Sequence, residues 1–356
     1  MKPKTFVILS PGFPKDEADS TCLPFLQQFV EQLNGQFPML QIIVLAFDYP
    51  FVNETYTWEK NEVISFNGWK KRRISKLFKW RSILTTLKKI NRNHAIVGML
   101  SLWCGECAYL GRLFSERNQV PHFCWILGQD AKPGNKYIRS MRPSSPGLIA
   151  ISDFIQKEFE KNYPLKPELI IPVGIQADLF KGVIRTRDID ILGVGSLIAL
   201  KQYTVLIEIV RDIRPLFPQI QVRLCGKGPE MAALKNLIAD YGLEKNIMLT
   251  GVQSHEEILN LMSRTKLFLH PSLYEGMAAV CLEALASGCH VISFVRSMQQ
   301  DIRQWYIVSS KEQMAEKTIS LLYDHRLLFQ PTIPFTVRQS VEKIMQLYQY
   351  NDPAIS

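Results

Sequence analysis

The sequence predicts an α/β protein of two doubly wound, Rossmann-like parallel-sheet domains, and three observations point there. Short apolar runs alternate with helix-periodic segments from end to end, the pattern that right-handed strand–helix–strand crossovers produce. With 356 residues, the chain exceeds the size at which one hydrophobic core keeps growing. Pro172-Val173-Gly174-Ile175, ahead of the polar stretch from Lys181 to Asp188, splits the alternation into two runs of similar length.

In the first run, strands are expected at Thr5–Leu9, Leu40–Phe47, Ala95–Leu100, His122–Ile126, Leu148–Ile151 and Leu169–Ile171. Helical segments separate them: Leu23–Leu33, a basic stretch, Glu106–Arg117 and Asp153–Lys161. The second run places strands at Asp190–Gly195, Gln221–Cys225, Ile247–Thr250, Leu267–His270 and His290–Phe294. Its helices fall near Tyr203–Ile213, Glu230–Tyr241, His255–Arg264 and Ala279–Ser287. Pro331 to Pro334 break the chain before a last helical segment, Val337–Tyr348. The expected domains are therefore 1–175 and 176–333, with 334–356 packing back on the first. Ligands of open α/β sheets bind at the carboxyl ends of the strands, so the chemistry is expected in a cleft between the domains.

A hydrophobic fraction of 47% and a charged fraction of 21% are ordinary for a globular protein. The first apolar run, Thr5 to Leu9, is too short for a signal-peptide core or a bilayer span, and no later run reaches spanning length. A cytoplasmic protein, peripheral at most to the inner face of a membrane, is the expectation. Seven cysteines in a long chain without an export signal suggest reduced thiols. Cys104-Gly105-Glu106-Cys107 has the spacing of a redox pair, yet it sits inside the larger α/β pattern and reads as packing where a helix leaves a sheet.

The formal charge of +9 is local. Between Val63 and Gly105 there is no acidic residue, while ten basic ones occur: Lys70, Lys71, Arg72, Arg73, Lys76, Lys79, Arg81, Lys88, Lys89 and Arg92. Ile74, Leu77, Phe78, Leu84, Leu87 and Ile90 recur there at helical steps, with Trp69 and Trp80 interleaved. A basic amphipathic helix over 69–92 suits an anionic membrane surface, or an apolar stripe that faces the core. No recognised reading module accompanies it, so nucleic acid is not expected.

Chemistry concentrates in the second run. Gly193-Val194-Gly195-Ser196-Leu197 precedes Lys201; Cys225-Gly226-Lys227-Gly228-Pro229-Glu230 makes a glycine turn; Leu243 to Gly251 leads into a strand. His270-Pro271-Ser272-Leu273-Tyr274-Glu275-Gly276-Met277-Ala278-Ala279 runs on through Glu283 to Gly288, with seven residues between the two glutamates. A helix beginning near Ala278 and closed by Gly288 would aim its free amides and positive dipole end beyond Gly276, which suits a diphosphate. The two carboxylates would then lie on the order of 12 Å apart along the helix, beyond the roughly 5–9.5 Å of a glycosidase pair.

These segments resemble the donor-binding domain of glycosyltransferase family 4, a family of the GT-B fold; Ile171 to Ile175 with Phe180 resembles its interdomain linker. The resemblance implies a retaining hexosyl transfer from a UDP- or GDP-sugar to a glycan or lipid-linked acceptor, in cell-surface polysaccharide or glycolipid synthesis, with no cofactor or metal. It implies catalytic roles for Lys201 and Glu275, and a donor-binding set of Gly12, Ser196, Lys201, Gly226, Val252, Glu275, Gly276, Met277, Ala278, Ala279 and Glu283. The first glutamate would contact the donor sugar and the second the ribose.

The sequence also departs from the family. Ser196 stands where an arginine is usual, Leu127-Gly128-Gln129-Asp130 replaces a histidine-containing segment, Val173-Gly174 replaces Asn-Gly, and the glycine-rich turn after Phe294 is missing. Asp130 is a further candidate for the cleft, with capping or packing as the alternative. A non-catalytic binding or assembly subunit, or a sugar-nucleotide epimerase or hydrolase of the same fold, are the rival functions. The third glycine of a dinucleotide fingerprint, a phosphate-loop GxxxxGK[ST] and zinc-type Cys/His spacing are all absent.

Overall fold

A computed structural model describes residues 2–68, 73–141, 143–180 and 186–350, apart from the side chains of 73 and 74. The chain divides into two compact units: Met1–Gly174 with Val337–Ser356, and Ile175–Thr336.

The first unit runs β1 (Lys4–Gly12), α1 (Pro24–Gln36), β2 (Gln41–Tyr49), β3 (Asn53–Trp58), β4 (Asn61–Phe66), α2 (Arg73–Asn93), β5 (Ala95–Leu102), α3 (Glu106–Asn118), β6 (His122–Ile126), α4 (Lys136–Met141), β7 (Leu148–Ala150), α5 (Asp153–Asn162) and β8 (Leu169–Ile170). Its eight strands lie in the order β3-β4-β2-β1-β5-β6-β7-β8. Phe6, Val7, Ile8 and Leu9 of β1 are all fully buried, because helices cover both faces of a central parallel strand and leave it no polar side. The all-parallel expectation fails at one edge, where β3 and β4 form an antiparallel hairpin. Most of β3 is exposed and polar, so an edge strand of this kind shows no apolar run to recognise.

The basic helix divides its apolar residues. Ile83, Leu87 and Ile90 are buried against the sheet, whereas Leu77 and Phe78 are 64% and 69% exposed. Lys79 lies 2.7 Å from Asp48 Oδ1 and 3.2 Å from Glu106 Oε1, and Lys76 lies 3.4 Å from Glu106 Oε2. Arg81, Lys88, Lys89 and Arg92 remain exposed. Trp69, Lys70, Lys71 and Arg72 lie outside the described residues, as do the side chains of Arg73 and Ile74. Cys104 and Cys107 are buried. Burial pushes the Cys107 thiol well above its usual range, which opposes thiolate chemistry and leaves the pair a packing role.

The last helix, α11 (Val337–Leu347), belongs to the first unit and buries Val337, Ser340, Val341, Ile344 and Met345. Ser340 Oγ donates to the Pro172 carbonyl at 2.7 Å. Tyr348 follows, its ring edge-on to Phe6 and Phe123 and its hydroxyl donating to the Met99 carbonyl at 2.6 Å. A Cβ on Gly98 would sit 2.1 Å from that ring, which accounts for a glycine inside β5.

The second unit runs β9 (Ile189–Val194), α6 (Tyr203–Ile213), β10 (Val222–Cys225), α7 (Met231–Asp240), β11 (Ile247–Gly251), α8 (His255–Ser263), β12 (Thr265–His270), α9 (Ala279–Ala286), β13 (His290–Ser293), β14 (Trp305–Ile307) and α10 (Lys311–Tyr323). Its strand order is β11-β10-β9-β12-β13-β14, with every pairing parallel. The order reverses between β9 and β12, the point at which open α/β sheets bind ligands. The three-residue β14 and the helix α10 were not expected from the sequence; so short a strand carries little pattern.

Removing the Tyr348 anchor tests the return of the C-terminal segment. Tyr348→Phe leaves a buried carbonyl without its donor and is expected to cost about 1–3 kcal/mol. Tyr348→Ala adds a cavity, for about 3–5 kcal/mol in total. Urea unfolding reads both; unchanged midpoints would contradict the anchoring role.

Candidate active site

The loops that leave β9, β10 and β11 are stacked by backbone contacts. Gly195 N donates to the Cys225 carbonyl at 3.0 Å, Leu197 N to Lys227 at 2.9 Å, and Gly226 N to Gly251 at 2.8 Å. A Cβ on Gly226 would lie 1.8 Å from the Gly195 carbonyl oxygen, and one on Gly228 would lie 2.2 Å from that of Leu197. Both glycines are therefore required by close backbone approach. Val252, just past β11, is 57% exposed, and Ser196 is exposed on the loop after β9.

Lys201 ends a short turn after β9 and donates to Glu275 Oε1, on the loop after β12. The two loops are also joined where Leu273 N donates to the Leu200 carbonyl at 3.0 Å. The same Glu275 oxygen lies 2.8 Å from His270 Nε2. The Glu275 side chain is only 13% exposed. Burial alone would raise its carboxyl, but the hydrogen bonds and charge of His270 and Lys201 outweigh it and hold the group down at about 2. Burial lowers His270 against the pull of Glu275, whose carboxylate its Nε2 faces. His270 Nδ1 and the Tyr203 hydroxyl are buried without a hydrogen-bond partner.

Helix α9 starts from Ala278, whose φ of 51° is left-handed, with no side-chain cap. The helix thus begins at Ala279, as the sequence suggested, and its first amides are those a helix leaves without internal partners. Gly288 closes it at φ 84°, as expected for C′. Met277 and Ala278 are buried. Their side chains pack inward, so a contact of either with a donor would be made through backbone. Ala279 is exposed and Gly276 half-buried. On the same helix, Glu283 Oε1 lies 2.8 Å from His255 Nε2, at the start of α8. That hydrogen bond raises His255, against an opposing effect of burial.

Two expected residues lie in the first unit. Gly12 ends β1, where a Cβ would make ordinary contact with Tyr49 at 3.4 Å. Asp130 is buried and accepts from the amides of Cys104 (2.6 Å), Gly128 (2.8 Å) and Leu127 (3.2 Å). Burial raises its carboxyl while those amides pull the other way. Accepting from three backbone amides, Asp130 holds the 127–130 turn, the capping role given as the alternative for this residue. His255 and His270 were missed in the sequence, where six histidines show no mutual spacing; each is placed by a glutamate. Among the described residues no group of three or more His, Cys, Asp or Glu could hold a metal ion.

The model of the family "Glycosyl transferases group 1" matches residues 175–332, which is the second unit. Residues 175–332 are a group 1 glycosyl transferase domain. Curated relatives of this chain include the phosphatidylinositol N-acetylglucosaminyltransferase gpi3 subunit of Schizosaccharomyces pombe, 27% identical over 37% of this chain and 29% of that protein. Another is the UDP-N-acetylglucosamine–peptide N-acetylglucosaminyltransferase GtfA subunit of Streptococcus pneumoniae, 24% identical over 56% of this chain. The chain spans 29% and 37% of the lengths of these two relatives. A glycosyltransferase from Rickettsia africae has the same fold, with a TM-score of 0.75 at 14% identity over 97% of this chain and 98% of that one. The fold class expected from the sequence, two doubly wound α/β units of the GT-B type, is the one observed.

Glu275 and His255 respond to pH in opposite directions. Glu275 is depressed, so its pairing stabilises the fold above about pH 4.3 and is lost only as pH falls toward 2. His255 is raised, so its pairing with Glu283 is fully present below about pH 6.5 and fades as pH rises through the higher folded value. Glu283→Gln is expected to lower the His255 titration midpoint seen by NMR and to destabilise more at pH 6 than at pH 9. An unshifted midpoint would remove the pair from the account.

Proposed function

We propose that the chain transfers a hexosyl residue from a UDP- or GDP-sugar to a glycan or lipid-linked acceptor, with retention of anomeric configuration, in cell-surface polysaccharide or glycolipid synthesis. The observation that carries this reading is the Lys201–Glu275 contact across the strand-order reversal, beside the uncapped start of α9. A cation, helix amides and a two-glycine turn there make a seat for a diphosphate. The name of the pneumococcal relative, which specifies UDP-N-acetylglucosamine, supports a UDP donor.

In this mechanism no side chain becomes a covalent nucleophile. As the glycosidic bond breaks, negative charge grows on the departing diphosphate, and Lys201 with the amides of α9 stabilises it. The held phosphate then accepts the acceptor's proton on the face it left, which gives retention. Glu275, fixed by Lys201 and His270, orients the sugar, and Glu283, fixed by His255, receives the ribose hydroxyls. The reading assigns the diphosphate charge to Lys201 and the helix, with no cofactor or metal. Exposed Ser196, which adds no second cation at this seat, favours a second reading as a non-catalytic donor-binding subunit.

Assay of product with UDP- and GDP-sugars separates the two. Lys201→Ala is expected to lower turnover about 10²–10³-fold, more than it weakens donor binding, while EDTA changes little. An inverted product by NMR, or activity lost in EDTA and restored by manganese, would refute the mechanism. Glu283→Ala should reduce the rise in melting temperature that UDP or GDP produces; equal shifts would remove Glu283 from the donor site.

A peripheral place at the inner face of a membrane is part of the proposal, supported by the exposed Leu77, Arg81, Lys88, Lys89 and Arg92 of α2. No described helix is long and apolar enough to cross a membrane. Reversing the charge of Arg81, Lys88 and Lys89 should abolish sedimentation with anionic liposomes at low salt. Wild-type protein that ignores such liposomes would end this part of the reading.

A further inference from the structure

Three side chains of the second unit meet at one oxygen. Glu275 Oε1 accepts from Lys201, and His270 Nε2 lies 2.8 Å from the same atom. His270 is 1% exposed, and its other ring nitrogen, Nδ1, is buried without a hydrogen-bond partner. One carboxylate oxygen thus serves two groups that can carry positive charge.

The surroundings decide how much charge this cluster holds. Burial and the Lys201 ammonium oppose a charge on His270, while Glu275 favours it. A protonated ring would also leave its Nδ1–H without an acceptor, a further cost. Tyr203 of α6 and Cys281 of α9 also feel Glu275, and burial raises both, so neither carries charge near neutral pH. On β13, Ser293 lies opposite His270 in the register and is not ionisable. Glu283 and His255 form a separate pair at the start of α8. Lys201 and Glu275 therefore balance, and a charged His270 would be a second cation on one carboxylate.

A diphosphate in the seat changes that balance. It adds negative charge on both phosphates and competes with Glu275 for Lys201. Each change favours positive charge on the imidazole, the side chain that small environmental changes carry across neutral pH. We propose that donor binding here is linked to a proton: His270 is uncharged in the empty seat, takes a proton from solvent as the diphosphate draws on Lys201, and returns it when the diphosphate leaves. The proton then replaces Lys201 as the counter-charge of Glu275, and His270 acts as a positioning residue through that carboxylate. The proposal rests on the donor reading of this site.

The test is a pH titration of the His270 ring signals by NMR on the full chain, with and without the β-methyl esters of UDP and GDP. Esters are used because a terminal phosphate itself titrates near about pH 6. The His270 midpoint should rise on binding. Calorimetry in two buffers of different ionisation heat should show net proton uptake between about pH 5 and pH 7, with affinity strengthening as pH falls by up to about tenfold per unit. His270→Gln, whose amide can still donate to Glu275, should abolish the uptake and flatten the pH profile. His255→Gln should keep both. A midpoint that stays or falls on binding, uptake that persists in His270→Gln, or uptake that disappears in His255→Gln would each overturn the proposal. Failure of both esters to bind at millimolar concentration would instead sink the donor reading, and the proposal with it.

Discussion

The loop architecture of the second unit depends on one contact, the bond from Lys201 to Glu275 across the point where strand order reverses. A largely buried carboxylate is costly unless paired and hydrogen-bonded. Glu275 satisfies that condition by taking Lys201 from the loop after β9 and His270 from the end of its own strand. The same arrangement that stabilises the empty fold holds a lysine at the mouth of a helix whose first amides have no internal partner. Structure and binding capacity thus share one set of atoms, and a ligand with negative charge would find its counter-charge already oriented.

Backbone proximity does the rest of the positioning. The loop after β9 lies so close to the Gly226–Gly228 turn that side chains at either glycine would overlap its carbonyls. The ends of β9, β10 and β11 are thereby tied together by backbone hydrogen bonds. Glu283 and His255 extend the polar surface onto α8 and α9 through a pair of which each member is at most 30% exposed. In the first unit the comparable brace is Tyr348, which enters a gap that Gly98 leaves in β5.

What could be read from residues alone follows the range of the interactions. Strands such as His122–Ile126 and helices such as Tyr203–Ile213 emerge with the expected bounds because local apolar periodicity determines them. The β3–β4 hairpin and β14 do not, since one is a polar edge and the other is three residues long. Lys201, Glu275 and Glu283 stand out in the sequence through their motif. Their partners are less so: Glu275 and Lys201 are 74 residues apart, and His255 and Glu283 are 28 apart. Asp130, a candidate for the cleft or for a cap in the sequence, has oxygens that serve three amides of its own unit. In α2 the lysine count was legible, whereas the capture of Lys76 and Lys79 by Asp48 and Glu106 is a tertiary fact.

The central claim is that the Lys201–Glu275 seat in the second unit receives a nucleoside diphosphate. Titrating UDP into isotope-labelled protein and following backbone amide shifts tests it most directly. The account predicts that the perturbed amides are those of Gly195, Gly226, Gly276 and Ala279, together with a shift of the His270 ring signals. Saturable shifts confined to the first unit, or none at millimolar UDP, would contradict it.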